Sequence, residues 1–514
     1  MFKVHEGEII FKEKYGSSSQ EILYVKPPDQ NNVVILHEEK YINVNGWFTR
    51  IFLPRGYPDS VSKDYLAYQK WDTAQAFCST ITGTLATQEV LRGVGVGDTS
   101  ATPLAATVTW VVKDGCGHLG KILFAYSHGT FLDAYSKKWR LYADTLNDAA
   151  MCIEIALPLF KNYTMFALCV STVMKAIVGV AGGATRAAMT QHHAVRGNMA
   201  DVSAKDSAQE TAVNLVASFT ALLIISTIGC HMLVFATTMV LHIVFNYFAV
   251  RAVCLRTLNE PRYLQLLEAY LREEVIAAPC DVNRREPIVF YQLGTNLLDL
   301  KLCGFQIKLG YSLKDFAKNK PAAAYLGKLR EIYDDRNYIL NPVIGNRNMH
   351  VLIKEDAVPD DVLCAYFHAV LFAVIICAIN DEVTPLYKGA GERPFAQVCR
   401  AVQSAEWSRE PARGGQSHSG YGYEPSFELM RYVDNIAQNE WYRIKAGMEH
   451  TGWDLSKHLL IVDEWRICNT FLEPNPISME ALSAVNSTIR PFQGLATCSD
   501  EKMKRKTFTI EPED

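Results

Sequence analysis

The side chains best placed for binding chemistry lie in a short segment that reads KKWRLYADTLND (137–148). Arg140, Asp144 and the pair Asn147/Asp148 are spaced at i, i+4 and i+7 or i+8, so a helix would collect them on one face. A guanidinium group beside carboxylates and an amide can hold a polar ligand or a protein partner. The alternative, that these groups are simply solvated, stays open.

A second polar segment, RGNMADVSAKDSAQE (196–210), is rich in charged and amide side chains. Its polar residues are Arg196, Asn198, Asp201, Lys205, Asp206, Gln209 and Glu210, of which Asn198, Asp201, Lys205 and Asp206 are candidate binding residues. If both segments lie at a membrane boundary, they could line a vestibule for a ligand or form a surface for a partner. The residues SAQE (207–210) also match a capping box, in which Ser207 and Glu210 satisfy the first amides of a helix. That pattern predicts a helix start near Ser207.

Catalytic and metal-binding signatures are missing from the sequence. No GxSxG, HExxH or protein-kinase motif occurs, and no pair of carboxylates has a context that supports acid–base catalysis. His192 and His193 stand without other ligands at metal spacing, so we expect a solvated pair and no metal site. The thirteen cysteines form no CxxC motif, which indicates reduced thiols, and no cofactor is expected.

Two glycine-rich elements could shape a binding site through their backbone. Their glycines are Gly93, Gly95 and Gly97 in the first element and Gly179, Gly182 and Gly183 in the second. Neither element has the spacing of a phosphate-binding loop, so they indicate close helix packing or an unwound segment that binds a ligand. Each is followed by a Lys-Asp pair, Lys113-Asp114 and Lys205-Asp206, and a diverged internal repeat of the transporter kind is one interpretation.

The elements that must position these residues are predicted to be membrane helices. Residues 211–250 contain no Lys, Arg, Asp or Glu, and about 20 apolar residues suffice to cross a bilayer. This run predicts a hairpin of two spans that turns at 226–231, and the alternative is a buried hairpin of a soluble protein. Residues 163–184 are a weaker candidate span. Residues 362–379 also lack charge, but their soluble-looking neighbours favour a buried helix.

The chain divides into regions of different composition. We expect a β-rich lead-in at 1–50, a mainly α-helical membrane domain at 51–275, a small soluble α/β (α+β) domain at 285–490 and a charged tail at 499–514. The third region is expected to hold strands at 339–345, 349–355 and 458–467, helices at 359–380 and 426–449, and a flexible loop at 408–426.

A formal net charge of −4 without a basic stripe argues against nucleic acid as a partner. The start of the chain has no apolar core, so no secretory signal peptide is expected, and it is not the Arg/Ser-rich, acid-poor segment typical of a transit peptide.

Several long strings of the sequence resemble one family. They are PRGYPDSVSKDYLAYQKWD (54–72), GTLATQEVLRGVGVG (83–97), ATVTWVVKDGCGHLGKILFAY (106–126), KKWRLYADTLNDAAMCIEI (137–155), GVAGGATRAAMTQHHAVRGNMADVSAKDSAQETAVNL (179–215), AYFHAVL (365–371) and GWDLSKHLLIVDEWR (452–466). Together they resemble the root UVB sensitive family, and the lack of a plastid-type leader indicates an animal member.

The resemblance implies a membrane-associated protein of a family that is widespread in eukaryotes. Plant members are linked to root responses to UV-B, vitamin B6 homeostasis and auxin transport, and the family has no established catalytic residues to carry over. The motif positions that the resemblance marks as important, without a role, are Lys113, Asp114, Arg140, Asp144, Asn147, Asp148, Arg186, Asn198, Asp201, Lys205 and Asp206.

Three functions fit these observations. The first is an intracellular integral membrane protein of transport or trafficking that handles or responds to a small metabolite. The second is a membrane-anchored scaffold whose C-terminal domain binds a protein partner, for example a family paralogue. The third is an enzyme of vitamin B6 metabolism, for which Lys175 is the one lysine whose apolar context suits a reactive amine. Membrane lipid is an expected partner of the protein.

Overall fold

Helices make up most of the computed structural model of this chain, and its sheets are small. The structure describes residues 8–14, 21–27, 34–36, 44–93, 103–160, 163–227, 232–289, 298–314, 323–388, 391, 393–411 and 421–468. The first three strands, β1 (Glu8–Lys14), β2 (Glu21–Lys26) and β3 (Val34–Leu36), form an antiparallel sheet in that order. The tail predicted at 499–514 lies outside the described residues.

A helical region follows this sheet. Its helices are α1 (Val44–Phe52), α2 (Tyr65–Gly93), α3 (Pro103–Ala134), α4 (Ser136–Ile155), a 3₁₀ helix (Leu157–Phe160), α5 (Thr164–His193), α6 (Met199–Thr227) and α7 (Met232–Ala252). α2 packs against α4, α6 and α7, whereas α5 packs mainly against α3 and α4. α2 and α4 therefore lie between the other helices, and polar groups on their inner faces are enclosed by protein.

Two glycines allow α3 and α5 to approach each other closely. A Cβ atom on Gly117 would lie 2.9 Å from Thr172 Cγ2, and one on Gly120 would lie 3.0 Å from Val173 Cγ1. Both distances are shorter than ordinary van der Waals contact. A larger residue at either position would therefore force the two helices apart, as at small-residue interfaces in membranes.

The glycines predicted from the sequence have different surroundings. No described neighbouring atom lies within 4 Å of a Cβ built on Gly182 or Gly183, and Gly179 has only an ordinary contact. Gly93 ends α2, and residues 94–100, which hold the other glycines of the first element, lie outside the described residues. The close-packing interpretation therefore does not hold for Gly182 and Gly183 among the residues that the structure describes, because a side chain at either position would enter open space.

Three helices of this region, α5, α6 and α7, are long and apolar enough to cross a membrane, judged by length and composition. Only 11% of the most apolar window of α6 is buried inside the protein. Its exposed face carries Phe219, Leu222 and Leu223, and α7 exposes Leu233 near its start. An apolar surface of this kind is typical of contact with lipid or with a partner. α6 and α7 cover the predicted hairpin, while residues 228–231 in its turn lie outside the described residues.

The helix start predicted at Ser207 is wrong. α6 begins at Met199, so Ser207 lies inside the helix, where its carbonyl accepts a hydrogen bond from Thr211 Oγ1 at 2.8 Å. Glu210 forms an ion pair with Arg186 instead, with 2.5 Å between Oε2 and Nη1. Residues three apart share a face anywhere in a helix, so the S-x-x-E spacing does not by itself mark a helix end.

The C-terminal region alternates short strands with helices. Its elements are β4 (Thr257–Leu258), α8 (Glu260–Glu273), α9 (Pro279–Arg285), α10 (Leu298–Cys303), β5 (Gln306–Leu309), α11 (Ala323–Ile332), β6 (Tyr338–Val343), β7 (Asn348–Ile353), α12 (Pro359–Ile379), α13 (Pro394–Ser404), β8 (Arg409–Pro411), β9 (Tyr423–Pro425), α14 (Phe427–Thr451) and β10 (Asp454–His458). In the largest sheet of this region, β7 lies between β5, which is parallel to it, and β6, which is antiparallel. β4 pairs with β10 in parallel, and β8 pairs with β9 as an antiparallel pair.

α12 forms the centre of this region, with α13, α14 and strands β6, β7 and β10 around it. Every residue from Val362 to Ile379 is buried, and its most apolar window is 100% enclosed. α12 is apolar enough to span a bilayer, yet no face of it is left for lipid. This confirms the prediction of a buried helix at 362–379.

Two local predictions in the C-terminal region need correction. The strand expected at 458–467 lies earlier, as β10, and the later residues form only isolated bridges, Val462 to Leu309 and Ile467 to Lys354. The loop expected at 408–426 contains β8 and β9, whose pairing holds its two ends together. Residues 412–420 between them lie outside the described residues.

A buried cluster of charges joins the helical region to the C-terminal region. Glu286 Oε2 lies 3.3 Å from Lys137 Nζ on α4 and 3.5 Å from Arg262 Nη1 on α8. All three side chains are almost fully buried. Asn259 Nδ2 donates to Glu286 Oε1 at 3.1 Å, and Asn283 Oδ1 accepts from Lys137 Nζ at 2.5 Å. One carboxylate thus compensates two cations that have left water.

Candidate functional site

A continuous polar network occupies the inside of the helical region between α2, α4 and α7. Its members, called the inner network below, are Asp72, Gln75, Arg140, Asp144, Asp148, His242 and Asn246. Each helix contributes residues three or four positions apart, so each presents one polar stripe to the other two. All seven side chains are buried or mostly buried.

His242 on α7 contacts the polar side chains of both other helices, α4 and α2. Its Nδ1 lies 2.8 Å from Asp148 Oδ1, and its Nε2 lies 2.9 Å from Gln75 Oε1. The Gln75 amide in turn donates from Nε2 to Asp72 Oδ1 at 3.2 Å. Both ring nitrogens therefore face oxygen acceptors, a geometry that suits the doubly protonated imidazolium form of His242.

Arg140 connects the remaining carboxylates. Its Nη2 donates to Asp72 Oδ1 at 3.1 Å, and its Nε lies 3.7 Å from Asp144 Oδ2. Asn246 Nδ2 donates to the same Asp144 oxygen at 2.5 Å. With three carboxylates, one guanidinium and one imidazole, the inner network carries at least one more negative than positive charge when its carboxylates are ionised. Such a site favours a proton or another cation.

Two oxygen atoms of the inner network can still accept a hydrogen bond or bind a cation. Asp148 Oδ2 and Asn246 Oδ1 are buried and have no hydrogen-bond partner among the described residues. A buried acceptor without a partner costs free energy, so such atoms are commonly satisfied by water or a ligand. The inner network therefore has both the charge and the open acceptors that a binding site needs.

A second network lies beside the first and contains two of the predicted positions. Asp206 accepts hydrogen bonds from Gln69 Nε2 at 2.9 Å and from Arg186 Nε at 2.8 Å. Arg186 also pairs with Glu210. The buried ring of Tyr68 lies within electrostatic reach of both networks. α2 thus contributes polar side chains to both groups.

The structure brings together part of the face predicted at 137–148. Arg140, Asp144 and Asp148 belong to the inner network, whereas Asn147 is half-buried and lies outside it. Lys113 and Asp114 pair with each other on α3, with 3.0 Å between Nζ and Oδ1, and Lys113 also lies over the Trp110 ring. These two therefore belong to neither network.

The predicted residues at the start of α6 connect it to the segment before α2. Asp201 Oδ2 accepts a hydrogen bond from the backbone amide of Arg55 at 2.7 Å, and Lys205 Nζ donates to the carbonyl of Arg50 at 2.6 Å. Asn198 accepts from a nearby backbone amide at 3.3 Å. These contacts hold chain segments in place, so this part of the predicted vestibule has a structural explanation.

Lys175, the lysine considered for covalent chemistry, is ion-paired. Its Nζ lies 2.6 Å from Glu154 Oε2, and Ser171 donates to the other oxygen of that carboxylate at 2.5 Å. A nucleophilic lysine needs its amine free to reach a substrate carbonyl, whereas this amine is held by the carboxylate. The arrangement gives no support to the enzyme hypothesis at this position.

Sequence reasoning missed most of the partners on α2 and α7. The α2 residues of the two networks lie in a polar, aromatic-rich stretch, where no motif or spacing distinguishes Gln69, Asp72 and Gln75 from their neighbours. His242 and Asn246 did carry one, because polar residues inside a charge-free apolar run usually face the protein interior. Their partner on α4, Asp148, is 94 positions from His242, so their association depends on the tertiary fold.

A large cavity of about 1520 Å³ opens at one end of the helical region, against α9 and β10. Residues before α2 and the last residues of α5 and α7 line it. Its cationic lining residues are Lys63, Arg251, Arg256, Arg284 and Lys457. Acidic groups, among them Asp64 and Asp454, lie between them, so the cavity offers contacts to a ligand that carries both polar and anionic groups.

The prediction of a solvated pair at His192-His193 is wrong. His193 is only 1% exposed, and its ring packs between those of Tyr65 and Tyr68. His192 lines the cavity and pairs with Asp64, with 2.9 Å between Nε2 and Oδ2. The fold brings in Asp64 from 128 positions away, which the local sequence could not indicate.

Comparison with known proteins places both regions in one family. The profile of the vitamin B6 photo-protection and homoeostasis domain matches residues 38–274, and that of the root UVB sensitive protein C-terminal region matches residues 275–469. No solved structure matches the chain.

Named relatives agree with these profiles. RUS family member 1 of Dictyostelium discoideum is 47% identical over 248 residues, which cover 47% of this chain and 47% of that protein. Protein root UVB sensitive 3 of Arabidopsis thaliana is 31% identical over 79% of this chain and 93% of its own length. Protein root UVB sensitive 5 of the same plant is 28% identical over 62% and 64%, respectively. The match therefore spans about half of the first relative and nearly all of the second.

The predicted animal origin has no support among these relatives, which come from Dictyostelium and Arabidopsis. Family membership is shown by the two consecutive profile matches and by the second relative, which is matched over 93% of its length. This chain belongs to the root UVB sensitive family.

Proposed function

We propose that this chain is an intracellular integral membrane protein that acts in transport or trafficking and serves the homeostasis of a small metabolite of the vitamin B6 type. The observation that carries the proposal is the inner network. It places ionisable groups with open acceptors inside a helical region whose outer surface is apolar. The description of the N-terminal family profile, which names vitamin B6 homoeostasis, supplies the metabolite class.

The energetic cost of the inner network supports a role in binding. Burying a carboxylate away from water is expensive even when it is paired, and apolar side chains of similar volume often stabilise a protein as well or better. Of the three helices that supply the network, α7 is long and apolar enough to span a membrane, and ionisable residues that face such a helix usually mark the path of a substrate or a proton. Asp148 and His242, which share a hydrogen bond, are suited to bind and release a proton during transport.

The cavity supports the same proposal from the end of the helical region. Vitamin B6 compounds are hydroxylated pyridines, some of which carry a phosphate group. Five cationic side chains line the cavity among four carboxylates, and the exposed Arg284 is one that a phosphate group could reach from solvent. In this proposal the cavity receives the metabolite and the inner network couples its movement to a proton.

Membrane insertion is the first part to test. Alkaline carbonate extraction of the tagged protein should leave it in the membrane pellet. Protease-accessible tags inserted at Gly197 and after Cys254 should be cleaved from the same side, because α6 and α7 form a hairpin in this proposal. Release into the supernatant, or cleavage from opposite sides, would contradict the proposal.

The role of the inner network needs matched variants in purified protein. In proteoliposomes with an imposed pH gradient, uptake of labelled pyridoxine and pyridoxal phosphate should fall at least about 100-fold for Asp148→Asn, the size expected when a proton-transfer group is removed. Asn147→Ala, on the same helix but outside the network, should retain uptake. If uptake falls equally in both variants, or falls only in proportion to the amount of folded protein, the inner network has a structural role and not a role in transport.

A surface aromatic cluster favours a second candidate function, a membrane-anchored scaffold. Trp407 and Tyr432 lie exposed with ring centroids 5.5 Å apart, and Tyr423 lies nearby under Arg409. Exposed aromatic side chains are common anchors of protein interfaces. Under this alternative, Trp407→Ala should abolish co-purification with a co-expressed family paralogue, whereas Asp148→Asn should not.

A further inference from the structure

The cluster of Asp64, His192 and His193 lies outside both polar networks. Asp64 immediately precedes α2, and the two histidines are the last residues of α5. Backbone contacts hold these segments together, since Val61 bridges to Ala194 and the Ser62 amide donates to the His193 carbonyl at 3.2 Å. The relative positions of the three side chains are therefore set by the fold.

The three side chains converge with the spacing of metal ligands. Asp64 Oδ2 lies 2.9 Å from His192 Nε2, and Asp64 Oδ1 lies 3.9 Å from His193 Nδ1. All three donor groups lie within 4.8 Å of one another. Around a tetrahedral Zn²⁺ ion with bonds of about 2.0–2.2 Å, neighbouring ligand atoms are about 3.4 Å apart. The observed distances lie on both sides of that value, so small rotations about side-chain bonds would close the site.

The surroundings of the cluster favour an ion over a simple ion pair. His193 Nδ1, the ring nitrogen that faces Asp64, also lies 2.6 Å from Ser62 Oγ, so an ion bound at Nδ1 would either displace that hydroxyl or gain it as a further oxygen ligand. The Cys254 backbone amide donates to Asp64 Oδ2 at 2.6 Å and orients that carboxylate, as outer hydrogen bonds do at metal centres. Ser62, Asp64 and His192 line the large cavity, which leaves a side of the cluster open to a fourth ligand.

We propose that Asp64, His192 and His193 bind one divalent first-row transition-metal ion such as Zn²⁺, with an open coordination position that faces the cavity. Two imidazole nitrogens and one carboxylate form a donor set that such ions prefer. The single negative charge of the set suits a divalent cation, and three protein ligands with an open fourth position resemble exchangeable or catalytic rather than closed structural sites. This site does not depend on the proposed transport function.

Two thiols stand at the same cavity and must be distinguished from the proposed ligands. The Sγ atoms of Cys254 and Cys280 lie 2.6 Å apart, and both residues line the cavity. Thiolates bind Zn²⁺ strongly, so metal binding by the whole protein would not by itself identify the ligands. The test therefore needs variants of both groups.

The experiment uses the full chain, purified in detergent, stripped with a chelator and kept reduced. Isothermal titration with Zn²⁺ alone should give one site per chain, and Co²⁺ should give the visible spectrum of nitrogen and oxygen coordination. Asp64→Asn and His192→Ala should each weaken Zn²⁺ binding more than about 100-fold, since loss of a direct ligand exceeds the loss seen for outer hydrogen bonds. His118→Ala, an exposed histidine on α3, should bind as the wild type does.

Folding of the variants is checked by their melting temperatures in metal-free buffer. Zn²⁺ should raise the melting temperature of the wild type and of His118→Ala, but not that of His192→Ala, because an ion stabilises only a fold that binds it. Unchanged binding in His192→Ala and Asp64→Asn would overturn the proposal. Loss of binding in Cys254→Ser/Cys280→Ser, with retention in Asp64→Asn, would also overturn it and assign the ion to the thiols.

Discussion

Replacing Glu286 by Gln tests whether one carboxylate compensates two buried cations. The change keeps the size of the side chain and its contact with Asn259, but removes the charge that faces Lys137 and Arg262. At 3.3 and 3.5 Å, Coulomb's law gives about 5 kcal/mol for each pair at an effective dielectric constant of about 20. Part of this attraction offsets desolvation, so the expected loss of unfolding free energy is about 3–5 kcal/mol.

The assay is thermal unfolding of the full chain in detergent, followed by intrinsic fluorescence. At about 2 °C per kcal/mol for a large domain, the apparent melting temperature of Glu286→Gln should fall by about 6–10 °C. Glu268→Gln is the matched control, since Glu268 pairs with Arg272 at 2.8 Å on the surface. That pair should contribute about 0–1 kcal/mol. Equal shifts for both variants would refute the reasoning.

A double variant separates charge compensation from general disruption. Lys137→Met leaves Glu286 paired with Arg262 alone, so adding it to Glu286→Gln removes one of the two uncompensated cations. The double variant should therefore lose less free energy than the sum of the two single changes. Additive losses would mean that the charges of Lys137 and Glu286 do not act on each other.

The pH dependence of this effect has a definite sign. Burial is the largest single effect and raises the pKa of Glu286, but the charges of Arg262 and Lys137 and the hydrogen bonds from Asn259 and Lys137 together outweigh it, so the net pKa lies below its ordinary value of 4.5. The ionised carboxylate therefore contributes stability above about pH 4.5, and this contribution is lost as the pH falls through the lower pKa of the folded state. The difference between wild type and Glu286→Gln should be largest near neutral pH and shrink in acid.

Two further predictions concern local packing and capping, read from the same melting experiment. Gly117→Val should destabilise the α3–α5 contact by about 1–3 kcal/mol, because even its Cβ would lie 2.9 Å from Thr172 Cγ2. Gly182→Ala, with open space at its Cβ, should be neutral or stabilise α5 by up to about 1 kcal/mol, and a loss there would contradict the packing shown. Ser426→Ala should cost about 1 kcal/mol, since Ser426 Oγ accepts the Leu429 amide at 3.0 Å as the cap of α14, whereas Ser207→Ala should change stability by less than about 0.5 kcal/mol. A larger loss of stability in Ser207→Ala than in Ser426→Ala would instead support Ser207 as a helix cap, as the sequence predicted.

Patterns within a single element could be read from the sequence. The apolar lengths of α5, α6 and α7 indicated their helices, because helix length and composition are local properties. The spacing of Arg140, Asp144 and Asp148 placed them on one face for the same reason. The resemblance to the family could also be recognised from the sequence, because comparing the order of residues in two chains requires no knowledge of their fold.

Relations between distant elements were decided only by the tertiary structure. α12 meets the same length and composition criteria as α5, α6 and α7, and although the sequence around it favoured a buried helix, only the fold shows which elements enclose it. The partners of Asp148 and of His192 stand 94 and 128 positions away, so no spacing rule could join them. The S-x-x-E pattern at Ser207 misled because residues three apart share a face in the middle of a helix as well as at its start. The sequence by itself thus determined that the long apolar segments are helical and that Arg140, Asp144 and Asp148 share a polar face, because both are local properties. Packing decided which faces meet and what chemistry they share, because contacts between distant elements depend on the whole fold.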